Sequence, residues 1–181
     1  MKTIFSILSI LLFNLGYSQV IIGDAVGTVP AAQKTSVLLE FAAGQNKGII
    51  LPYVRTIPTG SSLTEGTILL DASTATSAKV MYYNGTWQNL SSANTANITS
   101  ALTNQPNVTE VTGAKVIIGS NTSTADGVLV LESPNKAMVL PMVLDTNNIP
   151  DPAPGMMVYV NKTGAKRLAV FNGNKWTYWK P

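Results

Sequence analysis

From residue 20 onward the chain is a succession of short apolar runs, about four to seven residues each, separated by Gly, Pro, Asn and Asp. The runs are rich in Val, Ile, Leu and Tyr, which suit the pleated, half-buried surface of a strand. No stretch keeps the 3.6-residue apolar period of a long amphipathic helix. The pattern predicts an all-β protein. Asn84-Gly85, between Val80–Tyr83 and Thr86-Trp87, predicts a hairpin with a two-residue type I′ loop, where both residues tolerate positive φ. Asn172-Gly173 repeats the device with one extra residue before Trp176. Pro52 and Pro141 follow apolar runs and have no N–H to give a ladder, so each is expected to end a strand or lie at an edge.

The apolar runs also repeat. KGIILPYV (Lys47–Val54) returns as KAMVLPMV (Lys136–Val143), and GTILLD (Gly66–Asp71) as GMMVYV (Gly155–Val160). VMYYNGTW (Val80–Trp87) returns as AVFNGNKW (Ala169–Trp176), SVLLEF (Ser36–Phe41) as GVLVLES (Gly127–Ser133), and VIIG (Val20–Gly23) as VIIG (Val116–Gly119). The same segments in the same order predict two tandem copies of one small β-module. The expected organisation is residues 19–90 for the first copy, 91–113 for a linker and 114–181 for the second copy. The linker is rich in Ser, Thr and Asn, with room for a short helix around Asn97–Leu102.

Residues 1–18 read differently. Lys2 precedes an apolar run from Ile4 to Leu15, and Gly16-Tyr17-Ser18 offers small residues at a cleavage site. This is the form of a secretory signal peptide, with cleavage expected before Gln19 and a mature chain that does not insert into a membrane. The run is short for a ~30 Å hydrocarbon core. With no cysteine anywhere, neither a disulfide nor a lipidated cysteine is available, and stability must come from packing or association.

Composition narrows the chemistry. Charged residues make up 12% of the chain, and the net charge is +3 with a single adjacent basic pair, Lys166-Arg167. That is no electrostatic footprint for nucleic acid. The absence of His and Cys removes the usual general base, thiolate nucleophile and transition-metal ligands, so no catalytic residue, cofactor or metal is expected. Glu40 and Glu132 stand at nearly equivalent repeat positions, which points to a shared structural role instead of a catalytic pair. Asp126-Gly127 has only one carboxylate nearby and reads as a turn, not a calcium loop. The aromatic residues at the hairpins, Tyr82, Trp87, Trp176, Tyr178 and Trp179, are the candidate binding residues. Such side chains either fill a small core or, if exposed, stack on sugars or anchor an interface. Trp176 and Tyr178 should share one strand face, leaving Trp179 on the other.

The series Lys47–Pro52, Gly66–Asp71 and Tyr82–Trp87, echoed by Lys136–Pro141, Gly155–Val160 and Phe171–Trp176, resembles a module of exported Bacteroidota surface proteins. Some of its members are similar to tail-fibre or adhesin segments. Tyr53 and Met142 replace the Arg usual after Leu-Pro in that module, and Val160 replaces the Asn or Asp usual after the strand tyrosine. The resemblance implies a secreted, non-enzymatic structural or interaction protein of the cell surface, adhesin-like or appendage-associated. Its expected partners are copies of itself or other cell-surface proteins. The alternative is a carbohydrate-binding module that uses the exposed aromatics.

Overall fold

The computed structural model describes residues 19–24, 27–61, 63–105, 111 and 113–179; the expected signal segment, residues 1–18, lies outside the described residues. The fold is all-β. The first half contains β1 (Val20–Ile22), β2 (Val37–Phe41), β3 (Ile49–Ile50), β4 (Tyr53–Val54), β5 (Ile68–Asp71), β6 (Lys79–Tyr83) and β7 (Trp87–Asn89). A single turn of helix, α1 (Thr99–Thr103), follows. The second half contains β8 (Val116–Ile118), β9 (Leu129–Leu131), β10 (Ala137–Val139), β11 (Met142–Val143), β12 (Met156–Val160), β13 (Arg167–Phe171) and β14 (Trp176–Trp179).

The halves run through the same series of pairings. β1 pairs parallel with β2, as β8 does with β9. β4 pairs parallel with β5, as β11 does with β12. Antiparallel meanders then follow, β5-β6-β7 in one half and β12-β13-β14 in the other. Two further ladders tie the halves together. β3 pairs antiparallel with β12, and β10 pairs parallel with β2, so each half lends a strand to the other's sheet. The core is shared accordingly. Leu51, Leu70, Val80, Leu90 and Ile98 of the first half and its connector pack with Met157 and Val170 of the second, flanked by Met138 and Leu140. A smaller cluster, Val143, Ile149, Met156, Val158, Val160 and Ala169, lies within the second half.

Three local features depart from the sequence pattern. In the first hairpin Tyr83 lies opposite Trp87, so the loop holds Asn84, Gly85 and Thr86 instead of two residues. Of the three, Gly85 alone takes a positive φ, 83°. A glycine in that conformation closes a three-residue loop without asking the preceding Asn for the same. In the second hairpin Phe171 lies opposite Trp176, and the four-residue loop is held by Asn172 Oδ1, which accepts from the N–H groups of Asn174 and Lys175 (both 2.9 Å).

Residues 91–105, expected within a linker, are folded onto the first half. Ser91 is buried, and its hydroxyl oxygen accepts from the Val80 N–H (2.9 Å). Ala96 exchanges two backbone hydrogen bonds with Ala78, and Ile98 is buried in the shared core. Polar neighbours mask these few anchors in the sequence.

Glu40 and Glu132 are both held by the loop that precedes their strand, but not at the same ladder position. The N–H of Ala42 donates to Ile22 O, and that of Glu132 to Ile118 O, so Glu132 corresponds in register to Ala42. Glu40 is completely buried. Its carboxylate accepts from Gln19 Nε2 (2.5 Å), the Thr28 N–H, Thr28 Oγ1 (3.1 Å) and the Val29 N–H (2.8 Å). Glu132 accepts from the Ser123 hydroxyl. Burial of a carboxylate is tolerable only with such a set of donors. Glu40→Gln, which keeps an oxygen for the Thr28 and Val29 donors but removes the charge and turns an N–H₂ toward Gln19, is expected to cost about 1–3 kcal/mol in urea unfolding. A wild-type midpoint would show that the cradle contributes nothing.

Candidate functional site

The Leu-Pro segments organise the contact between the halves. In the first, Ile49-Ile50 pairs with Met157-Met156 of β12. At Pro52, which has no N–H, the ladder stops. The chain then steps back, so that Tyr53-Val54 pairs with Leu70-Asp71 of its own half. Leu51 spans the step, its N–H donating to Gly155 O (3.1 Å) and its side chain buried. Pro52 O accepts from Leu70 N (3.0 Å). The second segment does the same. Ala137–Val139 pairs with β2, Pro141 O accepts from Tyr159 N (2.9 Å), and Met142-Val143 pairs with β12. The first step is tight: a Cβ at Gly48 would lie 2.5 Å from Met156 Cγ and 2.9 Å from the Met157 carbonyl oxygen. A shallow hollow lies beside it, lined by Gln45–Lys47, Asn148–Pro150 and Met156. Burial raises the pKa of the Tyr53 phenol above its ordinary value.

The candidate aromatics divide between the two meanders. Tyr82 is half-buried against the shared core. Trp87 is half-buried, tilted against Tyr83 with ring centroids 5.3 Å apart, and its Nε1 donates to Pro58 O (3.3 Å). Trp176 packs with Phe171 (5.2 Å) against the smaller cluster. Tyr178 is exposed at its edge. The Arg167 guanidinium lies 4.2 Å from its ring centre, and its hydroxyl shares a 2.7 Å hydrogen bond with Thr146 Oγ1. Trp179 is also exposed, and its Nε1 donates to Leu90 O of the first half (2.9 Å). Tyr178 and Trp179 therefore present surface, while Tyr82, Trp87 and Trp176 mainly fill space.

Sequence reasoning missed the residues that join the halves: Ile49, Ile50, Met138, Val139, Met156 and Met157. Their signal was present in the paired Lys-x-apolar-apolar-Leu-Pro segments, where proline forbids one continuous strand.

Among the described residues, no three His, Cys, Asp or Glu side chains come together to hold a metal ion, and no helix is long and apolar enough to cross a membrane. Residues 117–181 match a family model described as a phage tail like trimerisation region. The second half is similar to an assembly module. No curated protein and no solved structure matches the chain. The match covers most of the second half, from the middle of β8 to the C-terminus, and supports a homo-oligomeric, structural role for it.

Because Leu51 carries both the step and its apolar anchor, Leu51→Ala is expected to cost about 2–5 kcal/mol in thermal or urea unfolding. A loss below 1 kcal/mol, on the order of a surface substitution, would mean the step is not held by packing.

Proposed function

We propose that this chain is an exported, non-enzymatic structural subunit that assembles through its own strands into trimers of a tail-fibre-like or appendage-like structure at the cell surface. The observation that carries the reading is the trimerisation-region match across residues 117–181, in a fold whose halves already complete each other's sheets. Export rests on the apolar segment ahead of Gln19. The adhesin-like role and the link to Bacteroidota surface proteins rest on the resemblance of the repeated segments. Light scattering after size exclusion tests the reading on the chain from Gln19 to Pro181. A mass three times that of the chain is expected; a clean monomer across micromolar concentrations overturns it.

A second reading, glycan binding, draws on the exposed rings of Tyr178 and Trp179 on β14. Stacking on sugars predicts binding on a glycan array that Trp179→Ala abolishes in a protein that stays folded. Absence of any retained glycan at millimolar concentration removes this reading.

A further inference from the structure

We propose that a second copy of this chain docks head-to-tail. Its β3 and β5 edges would meet the β9 and β10 edges of the first copy, repeating between chains the junction that joins the halves within one chain. The inference rests on the self-assembling role proposed above and names the surfaces that carry it.

The junction within the chain consists of two ladders. In one, Ile50 lies opposite Met156 and Ile49 opposite Met157. In the other, Met138 lies opposite Leu39 and Val139 opposite Glu40. The repeated segments identify the counterpart of each strand. KGIILP and KAMVLP align Ile49 and Ile50 with Met138 and Val139. GTILLD and GMMVYV align Thr67 and Ile68 with Met156 and Met157. The parallel registers Val20–Leu39 and Val116–Leu129 align Leu39 and Glu40 with Leu129 and Val130.

The counterparts differ in what covers them. β12 is covered over Met156-Met157 by β3, but Thr67, just ahead of β5, and Ile68, its first residue, meet no such strand among the described residues. β2 lies between β1 and β10, whereas among the described residues β9 pairs with β8 alone. β3 and β10 each use one edge and leave the other without a ladder partner among the described residues. Burial follows the pairing: Leu39 is 0% exposed and its counterpart Leu129 45%, while Ile50 stands 54% exposed on β3. Buried and exposed versions of one position are what an interface used once inside the chain and left open outside it would produce.

The open edges are complementary. The first half presents β3 and the start of β5; the second presents β9 and β10. Transferring the internal registers places Val139 opposite Thr67 of the next chain and Met138 opposite its Ile68, antiparallel. It places Leu129 opposite Ile49 of the next chain and Val130 opposite its Ile50, parallel. At the tight position, Gly48 facing Met156 becomes Ala137 facing Thr67, so bulk gained on one strand is lost on the other. Exposed strand edges are templates for this kind of addition. Because the two surfaces of the interface are different, the contact is heterologous and either closes into a ring or propagates. A ring of three chains uses every one of these edges and accords with the trimerisation match.

Cysteine pairs test the junction cleanly in a chain that has none of its own. The Leu51 N–H to Gly155 O bond makes its neighbour, Ile50 opposite Met156, the close non-hydrogen-bonded pair of the ladder. Thr67 with Val139 of another chain is the corresponding pair. On oxidation, T67C/V139C is expected to give covalent multimers on a non-reducing gel, while I50C/M156C closes within one chain and runs as a monomer. A mixture of the single variants T67C and V139C reports the same contact as a covalent dimer if the double variant misfolds. Leu129→Lys is expected to lower the solution mass to that of one chain with its β signature intact. A trimer by light scattering that gives no link between positions 67 and 139 overturns the head-to-tail junction but leaves the trimer. Links in a protein of open-ended mass keep the junction and overturn the trimer. Multimers from I50C/M156C, or an unchanged mass for Leu129→Lys, overturn the junction.

Discussion

A proline placed two residues beyond a pair of apolar strand residues cannot continue a ladder, and the rest of the structure follows from that constraint. At Leu51-Pro52 and again at Leu140-Pro141 the chain forms a two- or three-residue pairing, loses its next donor and moves to a different neighbour. Two of the four sheets therefore draw strands from both halves: β10 completes the sheet of β1 and β2, and β3 joins that of β11 to β14. The leucine before each proline contributes to the shared core, so hydrogen bonding and apolar burial fix the same step.

Polar interactions reinforce this framework without dominating it. Lys162 and Asp145 form a surface pair at 3.7 Å, a contact of the kind that contributes little. More of the polar organisation is local. Asn89, Asn97 and Asn172 accept from backbone N–H groups two or three residues ahead, and Asp71 and Asp145 do the same. A chain with few charges and many Asn, Ser and Thr residues thus spends its side chains on shaping turns. The fully buried Glu40 is the exception, a carboxylate used to pin Gln19 and the Thr28-Val29 loop to β2.

Much of the fold was legible in the sequence, because strand patterning and turn chemistry are local. The all-β class, both hairpins and the breaks at Pro52 and Pro141 follow from such signals. The short helix expected around Asn97–Leu102 forms at Thr99–Thr103, where Asn97 Oδ1 accepts from the Thr99 N–H. The partner of each strand was not legible. Ile49-Ile50 reads as an apolar pair whether it joins β12 or a strand of its own half, since register depends on distant backbone. For the aromatics, Trp176 packs against the smaller cluster and Trp179 is exposed. Alternation could not show that Tyr178 lies beside Arg167, or that Trp179 reaches back to Leu90, because both contacts depend on tertiary placement.

The exchange of strands between halves also sets an order of events as the chain is made. β2 ends at Phe41, yet the strand that covers its outer edge begins at Ala137, and the strand against which Ile49-Ile50 pairs begins at Met156. Pairings so distant in sequence carry a loop-closure cost and form slowly compared with local hairpins. The β5-β6-β7 meander can fold as soon as it emerges, but β2 and β3 must wait for most of the chain. Through that interval their apolar edges are open to any strand, including those of neighbouring molecules still being delivered. The later the C-terminal half arrives, the longer those edges go without the strands that cover them in the finished fold.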